Sequence, residues 1–363
     1  MWRSSVENKT IDNLNNLVKN FQPTDNIEKW MIEDLKYMIL RLDFWISFFL
    51  FFNIKIHIEQ TEKGKEVIIK QMALNDIGSC SIGKLRSYPC KLIGNLWGHY
   101  NNNIFFTWGE DSALRIKNTF NTLDNILISG FPYKIKNVKS HYESLEIKKQ
   151  FQFKGVKTTL LLIDSNHSKN LNGNAQYLPT SILENFYKSF IKLVLDNPEI
   201  GIIIKSKRKR NINSLNNIQS ILQDAINTGR CHLIEDTFQT ISSSYIKAID
   251  FAISTGFILS SAFMECAGFG IKSIYYDYSN ISNQEKDIYS WGKNKVIFRD
   301  VGKIIKEITL YNKNPIQKDY LGNWDSHIDK INMFIDDNGY ERIGRYLNFL
   351  QQGFNNNLDC KSA

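Results

Sequence analysis

The stretch STGFILSSAFMECAGFG, residues 254–270, holds residue types that could grip an anion and a hydroxyl pair. It sits between the apolar runs DFAI and IKSIYYD, which have the composition of buried parallel strands. In an open α/β sheet, ligands bind beyond the carboxyl ends of the strands. Ser254, Thr255 and Gly256 close one such strand and should line a crevice. The next helix starts near Ser260 or Ser261, and either serine suits an N-cap. The exposed N–H groups and positive dipole end of that helix attract phosphate. Glu265 lies four residues after Ser261, on the same face. A carboxylate among apolar neighbours needs a partner, and a pair of ribose hydroxyls would supply one. The plainer reading is that Ser261 caps and Glu265 complements the helix dipole. A capping box on Ser261 would need its acid at the position of Met264, so that motif is off by one residue.

Two further places offer polar groups at strand ends. Lys205 ends the strand IGIIIK and opens the basic run KSKRKR, residues 205–210. Lys205 and Lys207 there would neutralise phosphate, whereas Arg208 and its basic neighbours belong to solvent. The loop DSNHSKNLNGN, residues 164–174, follows the strand TTLLLID and contains Asn166 and His167. Polar loops of this kind offer backbone N–H groups to an anion, or are ordinary surface. Metal chemistry has no support, because HxxxH, DxD and clustered Cys/His are all absent. No nucleophile elbow of the GxSxG type occurs either.

The elements that would position these groups alternate between strand and helix, which argues for parallel sheets. In the first part, IKIHI, GSCSIG, NIFFTW and NILISG read as short strands and EDSALRIKNTFNTL as a helix between them. The polar stretch 134–154 reads as an interdomain connection. Beyond it, TTLLLID, IGIIIK, CHLIED, DFAIST and IKSIYYD are strands separated by helical sequence. The tail carries an Asn338-Gly339 turn signal and a helix with Ile343, Tyr346, Leu347 and Leu350 on one face.

Composition bounds the answer. A chain of 363 residues suits two domains, and 42% hydrophobic residues exclude global disorder. The formal charge of +8 fits an anionic ligand, an acidic membrane surface or nucleic acid. No nucleic-acid motif accompanies the basic run, so that partner is set aside. The cysteines Cys80, Cys90, Cys231, Cys266 and Cys360 are odd in number and form no CxxC, which places the chain in a reducing cytosol. MWRSSVENKT is polar and is not read as a signal peptide. The run FWISFFLFF, residues 44–52, is too short for the ~20 apolar residues of a spanning helix. It reads as a buried helix end feeding a strand, with a monotopic membrane contact as the second reading.

The order of these segments resembles that of GT-B fold glycosyltransferases, and more narrowly of bacterial surface-polysaccharide transferases of the Kdo- and sialic-acid-transferase-like type. STGFILSSAFMECAGFGIKSIYYD resembles their donor-site segment, FFTWGEDSALRI with NILISGFPY their WGE…GxP segment, and IGIIIKSKRK their basic strand end. WDSHIDKINMFIDDNGYERIGRYLNFLQQGF is similar to their C-terminal segment, and together these cover about two thirds of the chain. The resemblance implies two Rossmann-like domains facing a cleft. Residues 1–150 would form the acceptor side, 151–320 the nucleotide-sugar side, and 321–363 a helical segment packing back towards the first domain. The first clear strand begins only at Ile54 and no Gly-rich acceptor loop is visible, so the N-terminal domain reads as shortened.

What the resemblance implies for function is metal-independent transfer of a sugar from a CMP-ulosonic acid or nucleoside-diphosphate sugar to a glycan or glycolipid of capsule or lipopolysaccharide. It implies no cofactor and a cytoplasmic site, at the inner face of the membrane where the acceptor requires it. Ser254, Thr255, Gly256, Ser260, Ser261, Glu265, Lys205, Lys207, Asn166 and His167 would hold the donor. An inverting transfer needs a base for the acceptor hydroxyl. Glu110 and Asp111 in WGED, and His99 in WGHY, are the candidates; the two acids equally suit the first turn of a helix. A nucleotide-sugar 2-epimerase and a non-catalytic transferase-like subunit are the alternatives, since fold analogy alone does not separate them.

Overall fold

The computed structural model describes residues 9–59, 64–89, 99–132, 138–168, 177–208, 212–234, 245–256, 259–278, 286–336 and 338–360. The chain divides into two compact units. The first takes Met1–Pro89, Ile93–Pro132 and Asn338–Ala363, and the second takes Cys90–Leu92 and Tyr133–Asp337.

The first unit opens with helices α1 (Lys9–Asn20) and α2 (Asn26–Phe51). Asp25 caps α2 by accepting the Glu28 N–H at 2.8 Å, and the Glu28 carboxylate reaches back to the Thr24 N–H at 2.6 Å. Strand β1 (Ile56–Ile58), helix α3 (Lys65–Asp76), strands β2 (Cys80–Lys84) and β3 (Ile104–Thr107), helix α4 (Glu110–Lys117) and strand β4 (Asn125–Ile128) follow. The four strands are parallel in the order β1-β2-β3-β4. Ile39, Leu42, Ile46 and Phe49 recur at helical spacing and bury one face of α2. Leu42, Ile46 and Phe49 pack with Ile69, Ala73 and Leu74 of α3. Glu66 of α3 fixes the pairing by accepting two hydrogen bonds from Arg41, at 2.8 and 3.2 Å, and one from Trp45 Nε1 at 2.8 Å. The run 44–52 is therefore only half what a buried helix end would be: Ile46 and Phe49 are buried, while Phe44, Phe51 and Phe52 are exposed.

The second unit begins with α5 (Val138–Phe153), where an interdomain connection was expected. Ser144, Ile147 and Phe151 of this helix are buried at helical spacing, while Glu146, Lys148, Lys149, Gln150 and Gln152 are exposed. Sequence polarity concealed a narrow apolar stripe. The elements that follow are β5 (Thr158–Ile163), β6 (His167–Ser168), β7 (Leu178–Pro179), α6 (Thr180–Asp196), β8 (Ile200–Lys205), α7 (Gln219–Asn227), β9 (Cys231–Leu233) and β10 (Phe251–Thr255). After them come α8 (Ser261–Gly268), β11 (Lys272–Tyr276), α9 (Lys286–Gly292), β12 (Ile297–Phe298), α10 (Val301–Lys313) and α11 (Ile328–Ile331). The main sheet is parallel throughout, in the order β12-β11-β10-β5-β8-β9. Leu160, Leu162, Ile202, Ile204 and Ile253 belong to the core on one face. Leu161, Ile163, Ile203 and Ala252 belong to the core on the other. Strands with both faces covered must be apolar throughout, which is the pattern these sequences show.

Helix α12 (Gly339–Asn355) returns to the first unit. Its Ile343, Tyr346, Leu347 and Leu350 cover Cys80, Ile82, Ile104 and Phe106 of the four-stranded sheet. Arg342 Nε donates to the Ser129 carbonyl at 2.7 Å. The helix starts so close to the chain that a Cβ on Gly339 would lie 2.1 Å from the Phe131 carbonyl oxygen, whereas one on Gly344 meets nothing within 4 Å. The two glycines give opposite expectations. Gly339→Ala should destabilise the fold by about 2 kcal/mol or more through overpacking. Gly344→Ala should stabilise it by up to about 1 kcal/mol through helix propensity. Denaturant unfolding of the two variants checks the seat of this helix.

Candidate functional site

In chain order the six strands of the second sheet are β5, β8, β9, β10, β11 and β12. The chain therefore starts at the middle of the sheet, builds outward through β8 and β9, returns, and builds the other way through β10, β11 and β12. The order reverses between β5 and β10. The carboxyl ends of the strands flanking such a reversal form the crevice in which doubly wound sheets bind ligands. Register puts Ser254 of β10 beside Ile163 of β5, and Ile163 beside Lys205 of β8.

Side-chain alternation divides the end of β10. Ser254 lies on the face of Ala252, towards α8, and its Oγ is 3.3 Å from Ser260 Oγ. Ser260 is the N-cap of α8 and accepts the Phe263 N–H at 3.2 Å. Thr255 is buried and donates its hydroxyl to the Tyr276 carbonyl at 3.2 Å. The Gly256 carbonyl accepts the Tyr275 hydroxyl at 2.6 Å. Thr255 and Gly256 thus brace β11, while Ser254 and Ser260 form a hydroxyl pair at the start of α8. Ser261 is the first residue of that helix and is half-buried.

Glu265 is buried one turn into α8. Burial pushes its carboxyl up to about 7, and the positive charge of Lys205 works against that rise. No hydrogen bond from the described residues contributes to its ionisation. Lys205 is half-buried at the end of β8 and also acts on a second acid, Asp164. Asp164 is buried directly after β5, where it accepts the Ser206 hydroxyl at 2.8 Å and the Lys207 N–H. Burial raises its carboxyl to about 6 despite these hydrogen bonds. The Tyr187 hydroxyl of α6 is buried and makes no well-formed hydrogen bond; burial and the Asp164 charge push its pKa up. Two acids with raised pKa values and one shared cation therefore meet at the point of strand reversal, the pattern of a functional site.

Of the expected residues, Lys205, Ser254, Ser260 and Glu265 come together here. The Lys207 side chain is exposed, and its backbone N–H is the part that is used. His167 is braced on both sides: Nδ1 lies 3.0 Å from Thr180 Oγ1 and Nε2 lies 3.1 Å from Ser214 Oγ. Asn166 offers its backbone carbonyl to the Leu178 N–H at 2.8 Å. Beside His167, a cavity of about 320 Å³ is lined by Thr180, Ser181, Glu184, Ser214, Asn216 and Asn217. Asp164 was passed over in the sequence. The available signal was an acid set directly after an unbroken apolar strand.

Residues 163–294 match the sequence model of the polysaccharide biosynthesis PFTS motif protein family. That span runs from the end of β5 past β11 and contains every site residue just described in the second unit. No curated protein matches the sequence. Among solved structures, the UDP co-structure of S. aureus MnaA aligns with a TM-score of 0.50 at 9% identity, over 94% of this chain and 87% of that one. The wall teichoic acid polymerase TagF aligns with a TM-score of 0.51 at 14% identity, over 81% of this chain and 72% of that one. A TagF structure soaked with CDPG aligns at 0.50 and 14%, over 81% and 71%. The fold is the GT-B-like one, an α/β architecture with two Rossmann-like domains.

The three candidate bases lie in the first unit and are not gathered. Glu110 is exposed in the first turn of α4. Asp111 beside it accepts Arg115 Nε at 2.5 Å and the Tyr88 hydroxyl, and Arg115 also stacks over the Tyr88 ring. His99 precedes β3, at the opposite end of that strand from Glu110, and stacks on Phe120 with ring centroids 6.1 Å apart. Among the described residues no cluster of three or more His, Cys, Asp or Glu side chains could hold a metal ion.

The buried Glu265 makes stability fall with pH. The native state keeps its proton up to about pH 7, whereas the unfolded chain releases it near the ordinary value of 4.5. Stability is highest below the lower value and declines between the two. The full effect is roughly 3 kcal/mol at about 1.4 kcal/mol per pKa unit. Glu265→Gln should gain on the wild type by that order between pH 4 and pH 8. Equal pH dependence of the two proteins in chemical unfolding would show that Glu265 is not desolvated.

Proposed function

We propose that this chain is a glycosyltransferase that moves a sugar from a nucleotide-activated donor to a glycan or glycolipid acceptor in surface-polysaccharide assembly. The observation that carries this reading is the constellation at the strand reversal. Lys205, the Ser254–Ser260 hydroxyl pair and the buried Glu265 lie at the carboxyl ends of β8 and β10 and the start of α8, inside the segment that matches a polysaccharide-biosynthesis family. The α8 N-terminus and Lys205 would hold donor phosphate, where negative charge grows as the nucleotide departs. Glu265 would accept hydrogen bonds from the ribose hydroxyls, which compensates a buried carboxylate that has no other hydrogen-bond donor among the described residues. Asp164 positions the cation by holding the Ser206–Lys207 turn that follows β8.

MnaA was solved with UDP and TagF after a CDPG soak, and both share this fold, which supports a cytidine or uridine nucleotide as the donor's leaving group. A CMP-ulosonic acid and a nucleoside-diphosphate sugar both meet that description. The residues 1–150 expected on the acceptor side supply Glu110 as the base, since Asp111 is engaged by Arg115 and Tyr88. No helix among the described residues is long and apolar enough to cross a membrane. In this reading the enzyme works in the cytoplasm and meets a lipid-linked acceptor at the inner membrane face.

Thermal unfolding against CMP, CDP, UDP, GDP and TDP tests the donor site, because a ligand of the native state raises the melting point by mass action. One nucleotide should raise it with or without Mg²⁺. The rise should disappear in Lys205→Ala and Glu265→Ala, each compared with its own ligand-free melting point. No shift with any nucleotide would overturn the donor site. Nucleotide release that requires an added glycan acceptor supports transfer, and turnover of a nucleotide sugar without acceptor would instead indicate an isomerase.

A further inference from the structure

Beyond the strand ends, the connections that leave β5 and β8 are tied to each other twice. His167 follows β5, and its ring joins Thr180 Oγ1 at 3.0 Å to Ser214 Oγ at 3.1 Å, the serine belonging to the connection after β8. One turn along α6, Glu184 Oε2 accepts Asn217 Nδ2 at 2.9 Å. Thr180, Ser214, Glu184 and Asn217 all line the cavity of about 320 Å³, together with Ser181 and Asn216. Thr180 and Ser181 stand four and three residues before Glu184, so one face of α6 forms one wall. The ties hold the two walls in place within the chain itself, which lowers the ordering cost of binding.

The lining selects the ligand. Small-molecule pockets are ordinarily walled by apolar and aromatic side chains with a few polar groups among them. Every side chain lining this cavity is polar. The three hydroxyls and two amides both donate and accept, whereas an ionised Glu184 only accepts. No lysine or arginine lines the cavity, so a phosphate or an ulosonic acid carboxylate would face Glu184 without a cation to offset it. A divalent cation would find a single carboxylate. An uncharged sugar meets the requirement, because each of its hydroxyls donates one hydrogen bond and accepts others. Glu184 Oε1 and the side chains of Ser181 and Asn216 make no hydrogen bond among the described residues and are available to it.

Position separates this pocket from the donor constellation. Leu183 and Phe186 of α6 and the neighbouring Leu215 and Ile218 belong to the core on one face of the main sheet. Cys266 of α8 belongs to the core on the other face. The cavity and the Ser260–Glu265 group therefore share the carboxyl edge of the sheet and lie on opposite faces of it.

We propose that this cavity is a sugar subsite that holds one uncharged sugar unit by its hydroxyls. The proposal rests on the transferase reading for the source of that unit, which is either the glycosyl group of the donor or a residue of the acceptor glycan.

Saturation-transfer NMR of the full chain with glucose, galactose, N-acetylglucosamine and N-acetylgalactosamine tests the pocket directly. At least one of them should receive saturation from the wild type. Glu184→Ala and Asn216→Ala should each weaken its binding about tenfold, the scale of a lost hydrogen bond. Asn216→Ala should melt at the wild-type temperature, because that exposed side chain makes no hydrogen bond among the described residues. A nucleotide that raises the melting point of the wild type should raise that of Glu184→Ala equally. Displacement of the bound sugar by the matching nucleoside-diphosphate sugar, but not by the bare nucleotide, assigns the unit to the donor. A sugar that stays bound in the presence of both assigns it to the acceptor. No saturation of any of the four sugars, saturation that both variants leave unchanged, or displacement by the bare nucleotide would overturn the subsite while the nucleotide site stands. Sugar binding without any nucleotide shift would instead overturn the transferase reading and leave the subsite in place.

Discussion

Every central strand of the second unit is packed on both faces, so its polar backbone meets water only at the strand ends. That constraint decides where chemistry can occur. β5 and β10 are hydrogen-bonded neighbours, and the chain leaves their carboxyl ends towards opposite sides of the sheet, since the strand order reverses between them. There the connections leave in opposite directions and the chain ends of two strands face an opening. Asp164 directly follows β5, Lys205 ends β8, Ser254 is the last but one residue of β10, and Glu265 lies one turn into the helix that follows β10. Two acids are desolvated there, and one lysine acts on both. Ionising both acids without an added hydrogen-bond donor would leave buried negative charge in excess of the cation. This arrangement favours a ligand that brings hydroxyl donors together with an anionic group for the lysine.

Much of this was legible in the sequence because strand ends are legible. Continuous apolar runs such as TTLLLID and IGIIIK announce buried parallel strands, and the residues that follow them must face the same edge. That rule named Lys205 and Ser254 as candidates, while Ser260 was named by its suitability as an N-cap and Glu265 by its helical spacing from Ser261. Thr255 shows its limit: one residue further along β10, alternation turns it to the other face, where its hydroxyl serves Tyr276. Asp164 was missed because its role depends on Ser206 and the Lys207 N–H, which lie more than forty residues away in sequence. The Asp111–Arg115 ion pair is at helical i,i+4 spacing and was readable. Its third member, Tyr88, comes from a separate segment and was not.

Helix α5 and helix α2 fail the sequence reading in opposite directions. The first is so polar that its buried stripe of Ser144, Ile147 and Phe151 was lost among lysines and glutamates. The second is so apolar at its end that burial was expected all round, whereas only the stripe of Ile39, Leu42, Ile46 and Phe49 is covered. Mean composition describes neither helix. The angular distribution of side chains does, and it separates the face a helix buries from the face it leaves exposed.

Helix α12 gives the first unit a temporal property. Cys80, Ile82, Ile104 and Phe106 lie on a sheet face whose cover, including Leu350, is encoded more than two hundred residues later. During synthesis that face waits until the whole second unit has emerged from the ribosome. The second unit holds all six strands of its sheet in one uninterrupted segment, so it can complete its core first. The sheet that is translated first is thus the one whose apolar face is covered last.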